Sequence, residues 1–342
     1  MSGTSDLKPD YASQHEPLPE YTPPRSGLLA HIPASWVPFG ELSRIDKPTG
    51  IYLFFFPHLF GTLYETACNP KWVYTPSHLL HKNAILLVGT IFFRAAACAW
   101  NDNMDCEYDR QVLRCRLRPI ARRAITPSQG HLFTALMTVL ALLCLYVLPK
   151  VCWAISVPSI AILVLYPFAK RFTDYPQVIL GVQVSMGLFM GMGAINPTLF
   201  EDLERMFTNK DEEKVLAIVS LYMANICWTI VYDTVYAQQD IEDDARAGVR
   251  SMAVRFQGST RTLLYVVSLL QVTLLVACGY WQDFGRGYMV MACGGTITSL
   301  GVMNTTIDIS KPSECLWWFK NGCWFVGLSM SLGLCLEGLG LR

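Results

Sequence analysis

The chain has 342 residues, of which 52% are hydrophobic and only 16% are charged, whereas an average soluble protein carries about 25% charged residues. The 27 basic and 27 acidic residues cancel, so no net charge attracts the chain to nucleic acid. This composition excludes a disordered chain, a small disulfide-linked scaffold and a basic nucleic-acid-binding protein.

Residues 1–40 are polar, rich in proline and without hydrophobic periodicity. They contain no basic segment followed by an apolar stretch, so they do not resemble a signal peptide, and they are too acidic for a mitochondrial presequence. We therefore interpret residues 1–40 as a flexible tail and residues 41–342 as one membrane domain.

Nine apolar stretches follow the tail, each close to the roughly 20 residues that a helix needs to cross a bilayer. They lie at 50–68, 83–100, 130–148, 151–168, 178–197, 215–236, 262–280, 287–303 and 322–340. They predict an all-α membrane bundle of about nine transmembrane helices. In the fifth stretch, Gly187 and Gly191 form a GxxxG step, which indicates close helix packing.

Lys and Arg residues concentrate in the tail and in the loops after the even-numbered stretches. Because cytoplasmic loops of membrane proteins carry an excess of these residues, we expect this face of the protein to lie in the cytosol.

The second stretch runs into the sequence NDNMDCEYDR, residues 101–110. At 100° per residue, Asn101, Asp105 and Asp109 lie on one side of a helix, and Asp102 lies beside them. Stacked carboxylates repel one another unless a positive charge lies between them, so this stripe is a candidate surface for a hard cation. The alternative interpretation is a solvated loop end, where charged residues commonly collect.

The sixth stretch ends in YDTVYAQQDIEDD, residues 232–244. Asp233, Asp240 and Asp244 again share one helical stripe. Asp233 lies a turn or two deeper, where an ionisable side chain is costly and is by default a functional candidate. Two acidic stripes on the same membrane face are harder to explain as loop ends than one.

Paired cations follow the fourth stretch on that face, at Lys170 and Arg171 in YPFAKRFTDYPQ. Basic side chains together with metal-binding carboxylates suit a diphosphate, because the metal bridges carboxylate and phosphate oxygens while Arg binds the remaining oxygens. Of the arginines after the first stripe, we assign only Arg118 to the substrate and interpret Arg110, Arg114 and Arg116 as positive-inside residues.

These motifs resemble the paired Asp-rich signatures NDxxDxxxD and DxxxD of the UbiA-type membrane prenyltransferases. The resemblance extends to SRIDKPTG at residues 43–50, to YPFAKRFTDYPQ and to residues 248–258, and it covers the chain from about residue 40 onwards. One departure is Gln257, which stands before Gly258 where the family pattern has Phe-Gly directly.

The resemblance implies a bundle of nine helices around a central cavity, with Mg²⁺ as cofactor and an isoprenyl diphosphate and an aromatic small molecule as substrates. It implies two magnesium–diphosphate surfaces, one formed by Asn101, Asp102, Asp105 and Asp109, the other by Asp240 and Asp244. We take Asp105, Asp109, Asp240 and Asp244 as the catalytic set and add Asp233 to the metal ligands. Lys170 and Arg171 match the family's diphosphate clamp, and Arg44 and Lys47 match a basic pair near the first helix. Besides these small molecules we infer only the lipid bilayer as a partner, with no protein partner and no nucleic acid.

Two functions within this family remain as alternatives, and they differ in the aromatic acceptor. One alternative is the 4-hydroxybenzoate polyprenyltransferase of ubiquinone biosynthesis; the other prenylates a phenolic polyketide of the orsellinic-acid type, usually with farnesyl diphosphate, in meroterpenoid biosynthesis. The acidic N-terminus and the IDKPTGIYLFFFPHLFGTLY segment favour the second, in the endoplasmic reticulum rather than the mitochondrial inner membrane. A transporter with carboxylate cation sites and a terpene-cyclising relative are further alternatives. The position of the acidic stripes at helix ends argues against transport, because transporter sites lie near the bilayer midplane.

Overall fold

The computed structural model describes residues 21–69 and 75–340, and the chain forms helices but no strands within those ranges. The long helices are α1 (Thr49–Cys68), α2 (Pro76–Met104), α3 (Pro127–Tyr146), α4 (Lys150–Phe172), α5 (Pro176–Ile195), α6 (Glu212–Ala237), α7 (Thr260–Trp281), α8 (286–306) and α9 (Pro312–Gly338). Helix α8 consists of Arg286–Tyr288, a π-helical turn at Met289–Gly294, and Gly295–Thr306. Short helices are Val37–Leu42, Cys106–Asp109, Leu199–Thr208, Ile241–Arg246 and Met252–Arg255, with 3₁₀ turns at Leu28–His31 and Gln238–Asp240.

Six of the described helices are long and apolar enough to cross a bilayer, namely α2 to α7. The expectation of an all-helical, polytopic membrane protein is therefore confirmed. Helices α1, α8 and α9 coincide with the remaining three apolar stretches, but they are not among the six. The count of about nine transmembrane helices thus stays a prediction.

Local sequence explains where several helices begin. Helices α2 and α3 each start with Pro after a capping threonine. The Thr75 hydroxyl accepts a hydrogen bond from the His78 N–H, and Thr126 forms a reciprocal capping box with Gln129, which satisfies backbone N–H groups that the first turn leaves unpaired. A short turn joins Tyr146 to Lys150, as the sequence predicts. The two helices do not pack closely as a hairpin, because α3 packs against α2 and α4 packs against α5.

Helices α1, α5, α6 and α9 pack against one another in the middle of the bundle, and α3 lies at its periphery. The α1–α5 contact is unusually close. A Cβ atom at Gly191 would collide with the His58 carbonyl oxygen and lie 3.0 Å from the Thr62 nitrogen, and a Cβ at Gly187 would lie 2.9 Å from His58 Nδ1. The prediction that the GxxxG step is a packing contact is confirmed.

Loops from distant parts of the chain meet at one end of this bundle, which we call the acidic end. The ends of α2, α4 and α6 lie there, as do the starts of α3, α5 and α7. The Arg250 N–H donates to the Lys170 carbonyl over 3.0 Å, and the Leu113 N–H donates to Asp243 over 2.8 Å. These contacts bring the loop after α2 and the end of α4 to the segment that follows α6.

The described part of the predicted tail also contacts the acidic end. The Tyr21 hydroxyl donates to Glu41 over 2.8 Å, and the Arg122 guanidinium lies 3.8 Å from the centre of the Tyr21 ring. Residues 1–20 lie outside the described residues, and the domain boundary at residue 40 stays a prediction.

Substitution of Gly191 tests the α1–α5 contact. We expect Gly191→Val to lower stability by about 1–3 kcal/mol or more, because the new side chain meets backbone atoms that cannot move aside. Thermal unfolding in detergent measures the effect. Gly301→Val is the control, since no atom lies within 4 Å of a Cβ built there; equal effects of the two substitutions would contradict the close contact.

Candidate active site at the acidic end

The first acidic stripe is buried although it lies at a helix end. Helix α2 stops at Met104, Asp105 caps it, and the short helix Cys106–Asp109 follows. The stripe is therefore bent at Asp105, whereas the helical spacing in the sequence predicts a continuous stripe. Asp102, Asp105 and Asp109 retain only 1%, 5% and 6% of their surface exposed, so each carboxylate requires a charged partner.

Two arginines supply partners for Asp102 and Asp109. The Arg44 guanidinium donates to Asp102 over 2.7 Å. Arg118 donates to both oxygens of Asp109 over 2.9 and 2.8 Å and to Asp102 over 3.2 Å. The structure thus brings the predicted substrate residues Arg44 and Arg118 to the first acidic stripe.

Asp105 pairs with the end of α4. The Lys170 ammonium donates to Asp105 over 3.0 Å, while Arg171 lies 4.0 Å from the same carboxylate and donates to the Met104 carbonyl over 2.7 Å. The two predicted cations therefore have different partners: Lys170 binds the Asp105 carboxylate, and Arg171 binds the Met104 carbonyl at the end of α2.

Arg114 links the loop after α2 to the second acidic stripe. Its Nε donates to the two oxygens of Asp240 over 2.8 and 2.9 Å, and its Nη1 donates to the Tyr236 hydroxyl over 2.7 Å. The sequence analysis had assigned Arg114 only to membrane orientation. Its partner is distant in the chain, and no local pattern in the sequence marks the contact.

The other predicted residues are less closely joined. Asp233 and Asp244 are partly buried and form no ion pair with any residue in the described ranges, and Lys47 is exposed. The side-chain oxygen of Asn101 is buried without a hydrogen-bond partner. Within residues 21–69 and 75–340, no three His, Cys, Asp or Glu side chains are grouped closely enough to hold a metal ion.

Burial and ion pairing have opposing effects on the charges at this end. Burial opposes the charge of Arg118, but Asp102 and Asp109 outweigh it and hold the pKa of the guanidinium well above its ordinary value. Burial is the largest influence on Asp109 and raises the pKa of its carboxyl, although Arg118 acts in the opposite direction. The Arg118 guanidinium therefore stays charged among these carboxylates.

A buried arginine that the sequence analysis missed supports Arg44. Arg94 is 7% exposed and donates to the carbonyls of Arg44 and Lys47, both over 3.2 Å. Gly50 makes room for it, because a Cβ there would collide with the guanidinium. Arg44 also has a φ of 53°, which is uncommon for a residue with a side chain. Arg94 thus fixes the loop that presents Arg44 to Asp102.

Below the acidic end, aromatic side chains from α1, α6 and α9 pack together. Trp228 lies 5.8 Å from Phe56 and 5.6 Å from Tyr232, measured between ring centres, and Tyr232 lies 6.2 Å from Phe319. A small cavity of about 20 Å³ lies beside them. No motif in the sequence marks these aromatic residues of α6 and α9 as a group.

Known proteins are similar to this chain in sequence. Residues 54–329 match the model of the UbiA prenyltransferase family. The prenyltransferase ascA of Acremonium egyptiacum is 36% identical over 288 residues, covering 83% of this chain and 82% of its own. The DMOA farnesyltransferase nvfB of Aspergillus novofumigatus is 32% identical over 313 residues, covering 92% and 95%.

Solved structures agree in fold. A UbiA homologue from Aeropyrum pernix K1 superposes with a TM-score of 0.64 at 19% identity, covering 84% of this chain and 97% of its own. A UbiA homologue from Archaeoglobus fulgidus, bound to GPP and Mg²⁺, superposes with a TM-score of 0.61 at 16% identity, covering 89% and 99%.

Removing Arg94 should release the loop that carries Arg44. In Arg94→Gln we expect faster amide hydrogen exchange at residues 43–50, because both carbonyl contacts are weakened. Arg261→Gln is a matched control, since Arg261 also bridges two carbonyls, those of Asn304 and Ile307. Unchanged exchange at 43–50 in Arg94→Gln would show that other contacts hold the loop.

Proposed function

Because the chain belongs to the UbiA prenyltransferase family, we propose that it transfers a farnesyl group from farnesyl diphosphate to a phenolic acceptor of the orsellinic-acid type, with Mg²⁺. The chain is a membrane prenyltransferase, and its relatives include enzymes of fungal meroterpenoid biosynthesis. The farnesyl donor is supported by the name of the relative nvfB. We further propose that the protein resides in the endoplasmic reticulum with the acidic end facing the cytosol.

One observation carries the proposal: four buried carboxylates and four basic side chains form ion pairs at one end of the bundle. Asp102, Asp105, Asp109 and Asp240 pair with Arg44, Lys170, Arg118 and Arg114. A diphosphate needs basic side chains for its oxygens and carboxylates for its metal ions. A transporter would not need both charges at a helix end.

The residues at the acidic end have the oxygen atoms that Mg²⁺ prefers, although in the described residues the carboxylates are paired with basic side chains and are not grouped around one point. The ion prefers oxygen ligands, and the unpartnered Asn101 oxygen lies on α2 next to Asp102 and one turn before Asp105. We propose Asn101, Asp102, Asp105 and Asp109 as one set of metal ligands, and Asp233, Asp240 and Asp244 as the other. When bound there, Mg²⁺ would neutralise the negative charge that develops on the departing diphosphate.

The basic residues exchange partners when the donor binds. Without substrate, their positive charges neutralise the carboxylates. A diphosphate carries more negative charge than any one of the carboxylates. We therefore expect Arg44, Arg114, Arg118 and Lys170 to turn to the diphosphate and release the carboxylates. They hold the leaving group as the bond between C1 of the donor and the diphosphate oxygen breaks.

The aromatic cluster of α1, α6 and α9 suits the step that follows the loss of diphosphate, in which the isoprenyl group is transferred to the phenol. Loss of diphosphate leaves an allylic cation, whose charge the faces of Trp228 and Tyr232 stabilise. The apolar walls exclude water, which would otherwise trap the cation as an alcohol. The electron-rich carbon of the phenol then attacks C1 of the isoprenyl group and loses its proton.

Product analysis tests the proposed function. Microsomes containing the protein are supplied with Mg²⁺, with geranyl, farnesyl or geranylgeranyl diphosphate, and with orsellinic acid, its methyl ester or 4-hydroxybenzoate. We expect a farnesylated orsellinic-type product by mass spectrometry, lost with EDTA and in Asp105→Asn. Asp308→Asn is the control, since Asp308 also pairs with a lysine but lies in the loop before α9. Prenylated 4-hydroxybenzoate alone would assign the protein to ubiquinone synthesis, and no product from any pair would refute transfer to these acceptors.

Partner exchange makes metal and diphosphate binding interdependent. We expect Mn²⁺, followed by its electron paramagnetic resonance signal, to bind the wild-type protein at least tenfold more tightly when inorganic pyrophosphate is present. In Arg114→Gln, Asp240 loses its partner, so Mn²⁺ alone should bind more tightly while pyrophosphate binds more weakly. Arg205→Gln, which breaks ion pairs outside the acidic end, should change neither. Equal Mn²⁺ affinity with and without pyrophosphate would contradict the exchange.

A further inference from the structure

A second, larger cavity lies away from the acidic end, among helices α1 to α5. Its volume is about 100 Å³. On α2 it is lined by Leu86, Thr90 and Phe93. Thr90 precedes Asn101 by eleven residues, which places it about 16 Å deeper along the helix at 1.5 Å per residue. The cavity is therefore separate from the proposed diphosphate site.

Two residues that line this cavity each have a buried side-chain oxygen without a hydrogen-bond partner. These oxygens are Oγ1 of Thr90 and Oε1 of Gln183, in side chains of residues that are 4% and 3% exposed. His58 adds a third free position. Its Nδ1 lies 2.9 Å from the Phe54 carbonyl and must donate to it, since a carbonyl only accepts, which leaves Nε2 as an acceptor.

These oxygens restrict what the cavity can bind. An isoprenyl tail has no polar atoms and would leave Thr90 and Gln183 unpaired, which destabilises a buried group. A diphosphate or carboxylate would meet no positive charge, because the described lining contains no Lys or Arg. A neutral molecule that donates hydrogen bonds satisfies both oxygens.

The apolar part of the lining favours an aromatic ring. Phe54, Phe93 and Val184 line the same space. Its volume is about two thirds of the roughly 150 Å³ of an engineered cavity that accepts benzene, so side chains of the lining must shift to admit a substituted ring. A ring that carries hydroxyl groups combines both requirements, since its hydroxyls donate while its faces contact apolar side chains.

We propose that this cavity binds a neutral phenol, whose hydroxyl groups donate to Gln183 and Thr90. The helix faces that line it continue to the acidic end, through Ala97 and Asn101 on α2 and through Leu163 and Lys170 on α4, at helical spacing. The site then holds a neutral acceptor, such as an ester of an orsellinic-type acid, before transfer. The role of the cavity as an acceptor site rests on the proposed function, whereas the binding of a phenol in the cavity does not depend on it.

Binding of orcinol, a neutral dihydroxytoluene, tests the proposal without any reaction. The full chain is placed in lipid nanodiscs without donor or metal, and radiolabelled orcinol is measured by equilibrium dialysis against empty nanodiscs. We expect Thr90→Val and Gln183→Leu each to weaken binding about five- to tenfold, the effect of one lost hydrogen bond. The ether 3,5-dimethoxytoluene, which has no donor, should bind the wild-type protein at least fivefold more weakly.

Matched controls exist elsewhere in the chain. Thr296 and Gln271 are also buried with unpartnered side-chain oxygens, but they do not line this cavity, so Thr296→Val and Gln271→Leu should leave orcinol binding unchanged. If Thr90→Val or Gln183→Leu does not fold, Ala141→Leu, which fills the cavity from α3, should abolish binding.

Three results would overturn the proposal: no orcinol binding, as for a cavity filled only with water; equal affinity in wild type, Thr90→Val and Gln183→Leu; or equal affinity for the dimethyl ether. Asp105→Asn separates this proposal from the proposed function, since it should abolish transfer and leave orcinol binding intact. Orcinol binding that depends on Thr90, together with failure to form any prenylated product, would refute the transfer reaction and retain the site.

Discussion

The burial of four carboxylates at one end of a membrane bundle is the constraint on which the rest of the structure depends. Removing the partner of a buried ion pair costs about 3–5 kcal/mol, a large fraction of a protein's net stability. Three elements at the acidic end therefore provide the cations: the loop before α1 brings Arg44, the loop after α2 brings Arg114 and Arg118, and the end of α4 brings Lys170. The fold and the proposed chemistry share this requirement, because cations that neutralise carboxylates also bind diphosphate.

The support for these cations reaches further into the bundle. Arg44 is held by Arg94, and Arg94 is accommodated by Gly50 at the start of α1. The α1–α5 contact at Gly187 and Gly191 in turn fixes the position of α1. These glycines therefore support the acidic end from a distance. Gly50 leaves room for the Arg94 side chain, and Gly187 and Gly191 allow α5 to approach α1 closely.

Features encoded in short stretches of sequence were predictable. The apolar runs and the two acidic stripes depend on hydropathy and helical period, and the structure has helices there. The short turn at Pro149 was also predictable. The Arg114–Asp240 pair joins residues 126 positions apart, and Arg94 reaches carbonyls about 50 positions away. Such contacts follow from how the helices pack, which no local pattern specifies. The break at Asp105 was missed for a related reason: helical spacing alone does not show that the residue's partner, Lys170, lies on another helix.

The acidic end and the larger cavity among α1 to α5 differ in which polar groups lack a hydrogen-bond or ion-pair partner. At the acidic end each strongly buried carboxylate has a basic partner, so a ligand must compete with ion pairs, and only a highly charged one such as a diphosphate with its metal can do so. In the larger cavity among α1 to α5 the unpaired groups are neutral oxygens. A hydroxyl group can donate a hydrogen bond to them, whereas an anionic ligand cannot. Aromatic residues of α1 and α6, among them Phe60 and Trp228, pack in the core of the bundle. On the proposed assignments, charge selects the donor and neutral hydrogen bonding selects the acceptor, so the two substrates do not compete for one site.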